Sequence, residues 1–228
     1  TCRRLGCDIE AQEDVSILGE PLEVNGKVIP NSLAVQPMEG CDGDAEGLPG
    51  ELTFRRYHRF ASGGAGLLWS EAVAVVPEGR ANPRQLWLNE KSKESFALMI
   101  RQMREAAAAS MGPEHKPVII AQLTHSGRYS KPRGFAEPLI PQQDPYRDPL
   151  VPEPFPNPER PSRLDENARV VTDEYLDELQ DKFVKAARLA AEVGFDGVDI
   201  KACHGYLVNE LLASRNRPGK YGGSFENR

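Results

Sequence analysis

Apolar positions along the chain follow two alternating rhythms, short continuous runs and repeats at helical spacing, which together imply strands and helices in turn. Ser32 to Met38, Ala65 to Val76 (opening AGLLW) and Pro117 to Leu123 read as strands. Phe195 to Lys201, apolar at Val198 and Ile200, reads as a fourth, buried parallel strand. Helical spacing fills the gaps. ELTFRRYHRFASGG places Leu52, Tyr57 and Phe60 on one face before Gly63-Gly64, and KSKESFALMIRQMREAAAASMG repeats Phe96, Met99, Ile100 and Met103 before Gly112. A third helix starts after Thr172 as N-cap, with Asp173 and Glu174 complementing its positive end. It runs through Leu176, Leu179, Phe183, Ala187 and Ala190 to Gly194. HGYLVNELLA begins a fourth.

Two segments stand outside this order. PLEVNGKVIP carries Asn25-Gly26 between short apolar runs, the signature of a type I′ hairpin. Gly127 to Pro161 holds ten prolines and no sustained period, far longer than an ordinary connection, so residues 128–171 read as a lid. Residues 1–20 are polar and acidic and read as an arm. A hairpin followed by four β-α repeats means a parallel sheet, which a doubly wound fold and a (β/α)8 barrel would both satisfy. No G-x-G-x-x-G follows the first strand, and a leading hairpin could plug a barrel's lower end, so the barrel is the better fit. Residues 21–228 would supply about its first four β/α units.

Composition narrows the function classes. A net charge of -6 with no basic stripe argues against nucleic acid. No apolar run approaches a membrane span and the first thirty residues lack a signal-peptide core, which points to a cytoplasmic protein. Cys2, Cys7, Cys41 and Cys203 show neither C-x-x-C pairing nor a histidine companion at zinc spacing, so no metal site is expected and reduced thiols are the plain reading.

Candidate chemistry lies at the carboxyl ends of the four strands, where α/β proteins place their sites. These ends carry Pro37-Met38-Glu39, Ser70-Glu71, Gln122 with His125, and Lys201 with His204 and Tyr206. The last three are proton-handling side chains within six positions. Gln122 sits inside an apolar strand, and a buried amide with donors and an acceptor suits a heterocycle edge. His125 alone reads as a satisfied structural residue.

These residues carry a resemblance. HGYLVNELLASRNRPGKYGGSFENR is similar to the old yellow enzyme family of FMN-dependent oxidoreductases, and three further segments agree with it: AVQPM, GAGLLWSEAVAV with EGR after it, and AQLTHSGRYS. The resemblance covers about residues 20–228. It implies a (β/α)8 barrel holding FMN, reduced by NADH or NADPH and reoxidised by an alkene conjugated to a carbonyl. By the same resemblance Tyr206 matches the proton donor, His204 a donor to the substrate carbonyl, and Gln122 the residue on the flavin pyrimidine edge. Pro37, Met38 and Ala72 fall where the family's main chain touches the ring, and the proline-rich excursion where its lid lies.

Departures from the family pattern are specific. Lys201 stands where many members carry a first histidine, and would bring a positive charge to the enolate. Glu39 stands where members often place threonine or cysteine beside the flavin. A carboxylate there would disfavour the electron-rich reduced ring, so its side chain is expected to turn away. Cys41, two positions beyond one branch's flavin-side cysteine, reads as merely structural. Arg217, Tyr221 and Glu226 to Arg228 read as scaffolding with paired charges. The family's phosphate site, made after strands seven and eight, would lie beyond Arg228, as would the iron-sulfur segment of the alternative branches, dienoyl-CoA reductase and amine dehydrogenase. Small enones, steroids and acyl-CoA esters fit as substrates. From another class, a non-catalytic half-barrel assembly module would expose the edge of its fourth strand and form homo-oligomers.

Overall fold

The Asn25-Gly26 pair turns the chain as its sequence predicts. Both residues take positive φ, 50° and 76°, and Leu22–Val24 (β1) pairs antiparallel with Lys27–Ile29 (β2). The computed structural model describes residue 6 and residues 12–143 and 168–228. Cys2, Cys7 and much of the arm lie outside the described residues, as does the middle of the excursion, residues 144–167. The arm ends in a 3₁₀ turn, Ser16–Gly19, whose Leu18 carbonyl accepts from the Ser32 N–H at 3.0 Å.

The parallel strands are Ala34–Val35 (β3), Leu67–Ala74 (β4), Val118–Thr124 (β5) and, after the short Leu139–Ile140 (β6) and Arg169–Val170 (β7), Gly197–Ile200 (β8). They lie in the order β3-β4-β5-β8, all parallel. Helices Glu51–Ser62 (α1), Lys93–Met111 (α2) and Asp173–Val193 (α3) each precede the next strand of that sheet, and Leu207–Leu212 (α4) follows β8. The ends of the excursion are joined, because β6 and β7 pair parallel to each other.

Alternation along β5 separates two faces. Ile119, Ala121 and Leu123 are fully buried in the core with Leu68 and Val73 of β4. Phe96, Met99, Ile100 and Met103 of α2 and Leu176, Leu179, Leu189 and Ala190 of α3 pack into the same core, as their spacing predicts. Each such side chain contributes about 1.5–3 kcal/mol on burial. The opposite face carries Val118 and Ile120, and the hairpin covers its amino-terminal end. Val24 and Ile29 close a cavity of about 460 Å³ against Leu67, Trp69, Val118 and Ile120. Lys27 fixes the hairpin there by a 3.0 Å ion pair to Asp196, whose other oxygen accepts from Arg104 and from the Ile119 N–H, both at 2.9 Å.

Thr172 caps α3 by accepting from the Tyr175 N–H at 3.2 Å, and Gly194 ends the helix in the left-handed region. Three expectations need correction. The first strand is Ala34–Val35 alone, since it lies at the sheet edge and Pro37 has no N–H to extend the ladder. Leu52 is exposed, and α1 buries Thr53, Tyr57 and Ala61 instead. The fourth strand is not fully buried: among the described residues β8 is paired on one side only, and Val198 and Ile200 are 40% and 45% exposed. Among the described residues no helix is long and apolar enough to cross a membrane.

Candidate active site

Parallel register brings three side chains into one row across the sheet: Ala72 pairs with Gln122, and Gln122 with Asp199. Gln122 is buried, and its Nε2 donates to Asp199 Oδ2 at 2.8 Å. Asp199 was absent from the sequence-based candidates, although its place between Val198 and Ile200 marks a polar residue on the face opposite those apolar ones. The Ala72 carbonyl is held by the buried Gln85 amide at 2.9 Å. Beyond this row, Pro37 is half-buried and Met38 is 75% exposed.

The carboxyl end of β8 gathers the rest. Lys201 continues the ladder, its N–H donating to the Leu123 carbonyl at 2.9 Å, and is only 8% exposed. The chain then reverses through His204 and Gly205, with φ of 59° and 68°. Left-handed backbone at a non-glycine residue costs about 1–2 kcal/mol. The reversal returns Tyr206 over the end of the sheet. Its hydroxyl donates to Glu39 Oε1 at 3.1 Å, and Lys201 Nζ reaches the same oxygen at 3.5 Å. Lys201 Nζ also sits 4.2 Å from the centre of the Tyr206 ring, a cation–π distance. Burial, followed by the Glu39 carboxylate, pushes the Tyr206 phenol above the ordinary tyrosine range. Glu39 therefore turns toward Lys201 and Tyr206. His204 is exposed beside them, with Cys203 Sγ 3.3 Å from its Nδ1.

Two sequence candidates leave the mouth. The register of β4 shifts between Trp69 and Ala72, and Glu71 faces α1. There its Oε1 accepts from Arg56 at 2.7 Å and from the Tyr57 hydroxyl at 3.3 Å, and its Oε2 accepts from the Gly40 N–H at 3.1 Å. Arg56 also binds Asp42 at 2.9 Å. Burial raises the Glu71 carboxyl, with Arg56 opposing the shift. A Cβ at Gly40 would lie 2.2 Å from Arg56 Nη2, so a side chain there would displace the guanidinium from the network. This network fixes the segment that carries Glu39.

His125 is the other departure, and it is structural as its sequence context suggested. Its Nδ1 accepts from the Gly127 N–H at 3.0 Å, so the ring proton is on Nε2, 2.9 Å from the Tyr175 hydroxyl. Tyr175 donates onward to Glu78 at 3.1 Å. Burial lowers the His125 pKa to about 3, so the ring stays neutral. The tail residues are scaffold: Arg217 is buried, pairing with Asp173 at 2.7 Å and with the Val171 carbonyl at 2.9 Å, and Tyr221 donates to Asp177.

The residues present suit the polar edge of a flavin ring. Gln122 Oε1 accepts no hydrogen bond among the described residues. Farther along β5 the buried Thr124 hydroxyl has no partner either, so polar atoms at this end of the sheet lack protein partners.

Parallel β-α units with a hairpin at one end and polar groups at the other are part of a (β/α)8 barrel of the old yellow enzyme type. The profile of the NADH:flavin oxidoreductase / NADH oxidase family matches residues 18–228, and the chain belongs to that family. It is 32% identical over 222 residues to an NADPH dehydrogenase of Geobacillus sp. (strain WCH70), covering 93% of this chain and 56% of that protein. An NADH oxidase of Thermoanaerobacter brockii is 31% identical over 90% of this chain and 29% of its own length. Among solved structures, the old yellow enzyme homologue from Zymomonas mobilis superposes with a TM-score of 0.72 at 26% identity, over 92% of this chain and 56% of that one. Morphinone reductase gives 0.70 at 25%, over 92% and 55%. The chain spans about half the length of most of these relatives.

Proposed function

We propose that this chain serves an FMN-dependent oxidoreductase that uses NADH or NADPH to reduce the C=C bond of α,β-unsaturated carbonyl compounds. The observation that carries the reading is the meeting of Tyr206, Lys201 and Glu39 at one point beside the Ala72–Gln122–Asp199 row. Bound FMN would supply hydride chemistry at N5, accepting from the nicotinamide and delivering to the substrate's β carbon. Gln122, fixed by Asp199, offers Oε1 to a heterocycle N–H, and the main chain at Pro37, Met38 and Ala72 frames the ring.

His204 and Lys201 act on the substrate oxygen. Cys203 Sγ lies 3.3 Å from Nδ1, and an N–H of the exposed His204 ring can bond a carbonyl as negative charge accumulates. Lys201 adds a nearly buried positive charge, which low dielectric makes more effective than in water. Tyr206 is the acid. An ordinary phenol ionises near pH 10, and the surroundings here favour the neutral form further, so its proton is in place at neutral pH for the α carbon.

The test is flavin uptake with a substrate panel. FMN added to the purified protein should show a perturbed visible spectrum and be bleached by NADPH. A small enone, a steroid enone or an unsaturated acyl-CoA ester should then restore the colour. The absence of both binding and turnover would refute the reading. That result is what a non-catalytic half-barrel module requires. The free thiols Cys41 and Cys203 support a cytoplasmic location.

A further inference from the structure

We propose that Glu39 is a positioning residue: one of its carboxylate oxygens holds the Tyr206 hydroxyl and the Lys201 ammonium together, setting the direction and readiness with which Tyr206 gives up its proton. The role of Tyr206 as donor rests on the ene-reductase reading, whereas the contacts do not. The Tyr206 hydroxyl is 3.1 Å from Glu39 Oε1, Lys201 Nζ is 3.5 Å from that oxygen, and Nζ is 4.2 Å from the Tyr206 ring centre. The three groups close a triangle.

The two residues that depart from the family pattern are therefore partners. Glutamate alone at 39 would set an uncompensated charge against the phenol, and lysine alone at 201 would bury an unpaired ammonium. Together they offset each other. Their effects on Tyr206 still differ in sign, because a carboxylate disfavours a neighbouring phenolate and an ammonium favours it. When Tyr206 gives its proton to carbon, its O–H bond breaks, a C–H bond forms, and the electron pair stays on the phenolate oxygen. That oxygen then faces Glu39, with the Lys201 ammonium over the ring. Solvent returns the proton.

The unit also has spare capacity. An ammonium has three donors, and among the described residues Lys201 Nζ makes one hydrogen bond, at the long end of the range. No hydrogen bond reaches the second Glu39 oxygen among those residues. A buried charge with unused donors favours an acceptor brought by a ligand. Three elements face the phenol: Glu39 and Cys41 from the segment after β3, Lys201 from the end of β8, and Tyr129, whose ring is 6.0 Å away, from the turn after β5.

The experiment is NMR of the whole protein carrying ¹³Cζ-labelled tyrosine, titrated with base, with Tyr206→Phe used to assign the resonance. Glu39→Gln keeps an acceptor but removes the charge, and should move Tyr206 ionisation down by about one pH unit or more. Lys201→Met should move it up. An unchanged titration in Glu39→Gln, or shifts of the same sign in both variants, overturns the proposal. If Glu39→Gln does not fold, Lys201→Met decides alone: an upward shift supports the unit and an unmoved resonance overturns it. The measurement needs no turnover. Opposite shifts in a protein that reduces no enone would refute the catalytic reading and leave Glu39 in its place, while an active enzyme with unmoved titrations would refute only the role of Glu39.

Discussion

Two clusters in this molecule use the same three kinds of group and differ in how fully those groups are spent. Behind β4, the Glu71 carboxylate takes a cation and a tyrosine hydroxyl on one oxygen, from Arg56 and Tyr57, and a backbone N–H on the other. At the mouth, the Glu39 carboxylate also takes a cation and a tyrosine hydroxyl on one oxygen, from Lys201 and Tyr206, and nothing on the other among the described residues. Arg56 divides its fork between two carboxylates, whereas Lys201 makes one long contact. A satisfied buried network gives rigidity and has nothing left for a ligand. An unsatisfied one has donors to offer. The first cluster also serves the second, because the Gly40 N–H that Glu71 binds is the residue after Glu39.

The comparison breaks most sharply if function and stability do not separate between the two clusters. Tyr206→Phe should slow alkene reduction by about 10²–10⁴-fold, the usual worth of a general acid, while flavin reduction by the nicotinamide stays nearly intact. Stopped-flow measurement of the two half-reactions checks this, and equal losses in both would remove Tyr206 from the donor role. Glu71→Ala should do the reverse. It leaves Arg56 with one carboxylate fewer and the Gly40 N–H without an acceptor, at a cost of about 3 kcal/mol seen as a fall in the urea midpoint. A stable Glu71→Ala protein would show that the network is not scaffold.

The same contrast explains what the residues disclosed on their own. Helices were legible because Phe96, Met99, Ile100 and Met103 keep helical spacing, and the hairpin because Asn-Gly is among the few pairs that tolerate positive φ twice. Candidates at the strand ends were legible because a parallel sheet aligns them. Which way each turns was not. Glu71 and Gln122 look alike as polar residues in apolar strands, yet the shift between Trp69 and Ala72 sends one toward α1 while the other stays in the row with Asp199. The Glu39–Lys201 contact spans 162 positions, a pairing no local spacing could reveal.

A third buried group sharpens the scaffold side through pH. Unfolded His125 should titrate near its ordinary 6.5, whereas the folded state holds it neutral down to about 3. Between those values the unfolded chain binds the extra proton, so its contribution to stability is present above pH 6.5 and is lost as pH falls toward 3. At one pH unit below the unfolded value the loss is about 1.4 kcal/mol. Urea titrations at pH 7 and at lower pH should therefore converge between the parent and His125→Gln as acid is added. Parallel pH dependence in the two proteins would place His125 in solvent contact rather than in the His125–Tyr175–Glu78 chain.

The smallest expected effect tests the mouth at its most exposed member. A phenol ligand imitates the enolate oxygen, and His204→Ala should weaken its binding by about 0.5–1.5 kcal/mol, one hydrogen bond's worth. His204→Asn is the sharper comparison, because asparagine tolerates the left-handed backbone found at this position and still carries an N–H donor. Titration of the flavin band with a substituted phenol should give an affinity near the parent's for asparagine and a weaker one for alanine. If both variants weaken binding equally, the imidazole acts through something asparagine cannot supply. If neither does, the ligand oxygen rests on Lys201 alone, and the unspent ammonium donors that set this cluster apart from the one behind β4 carry the whole of the recognition.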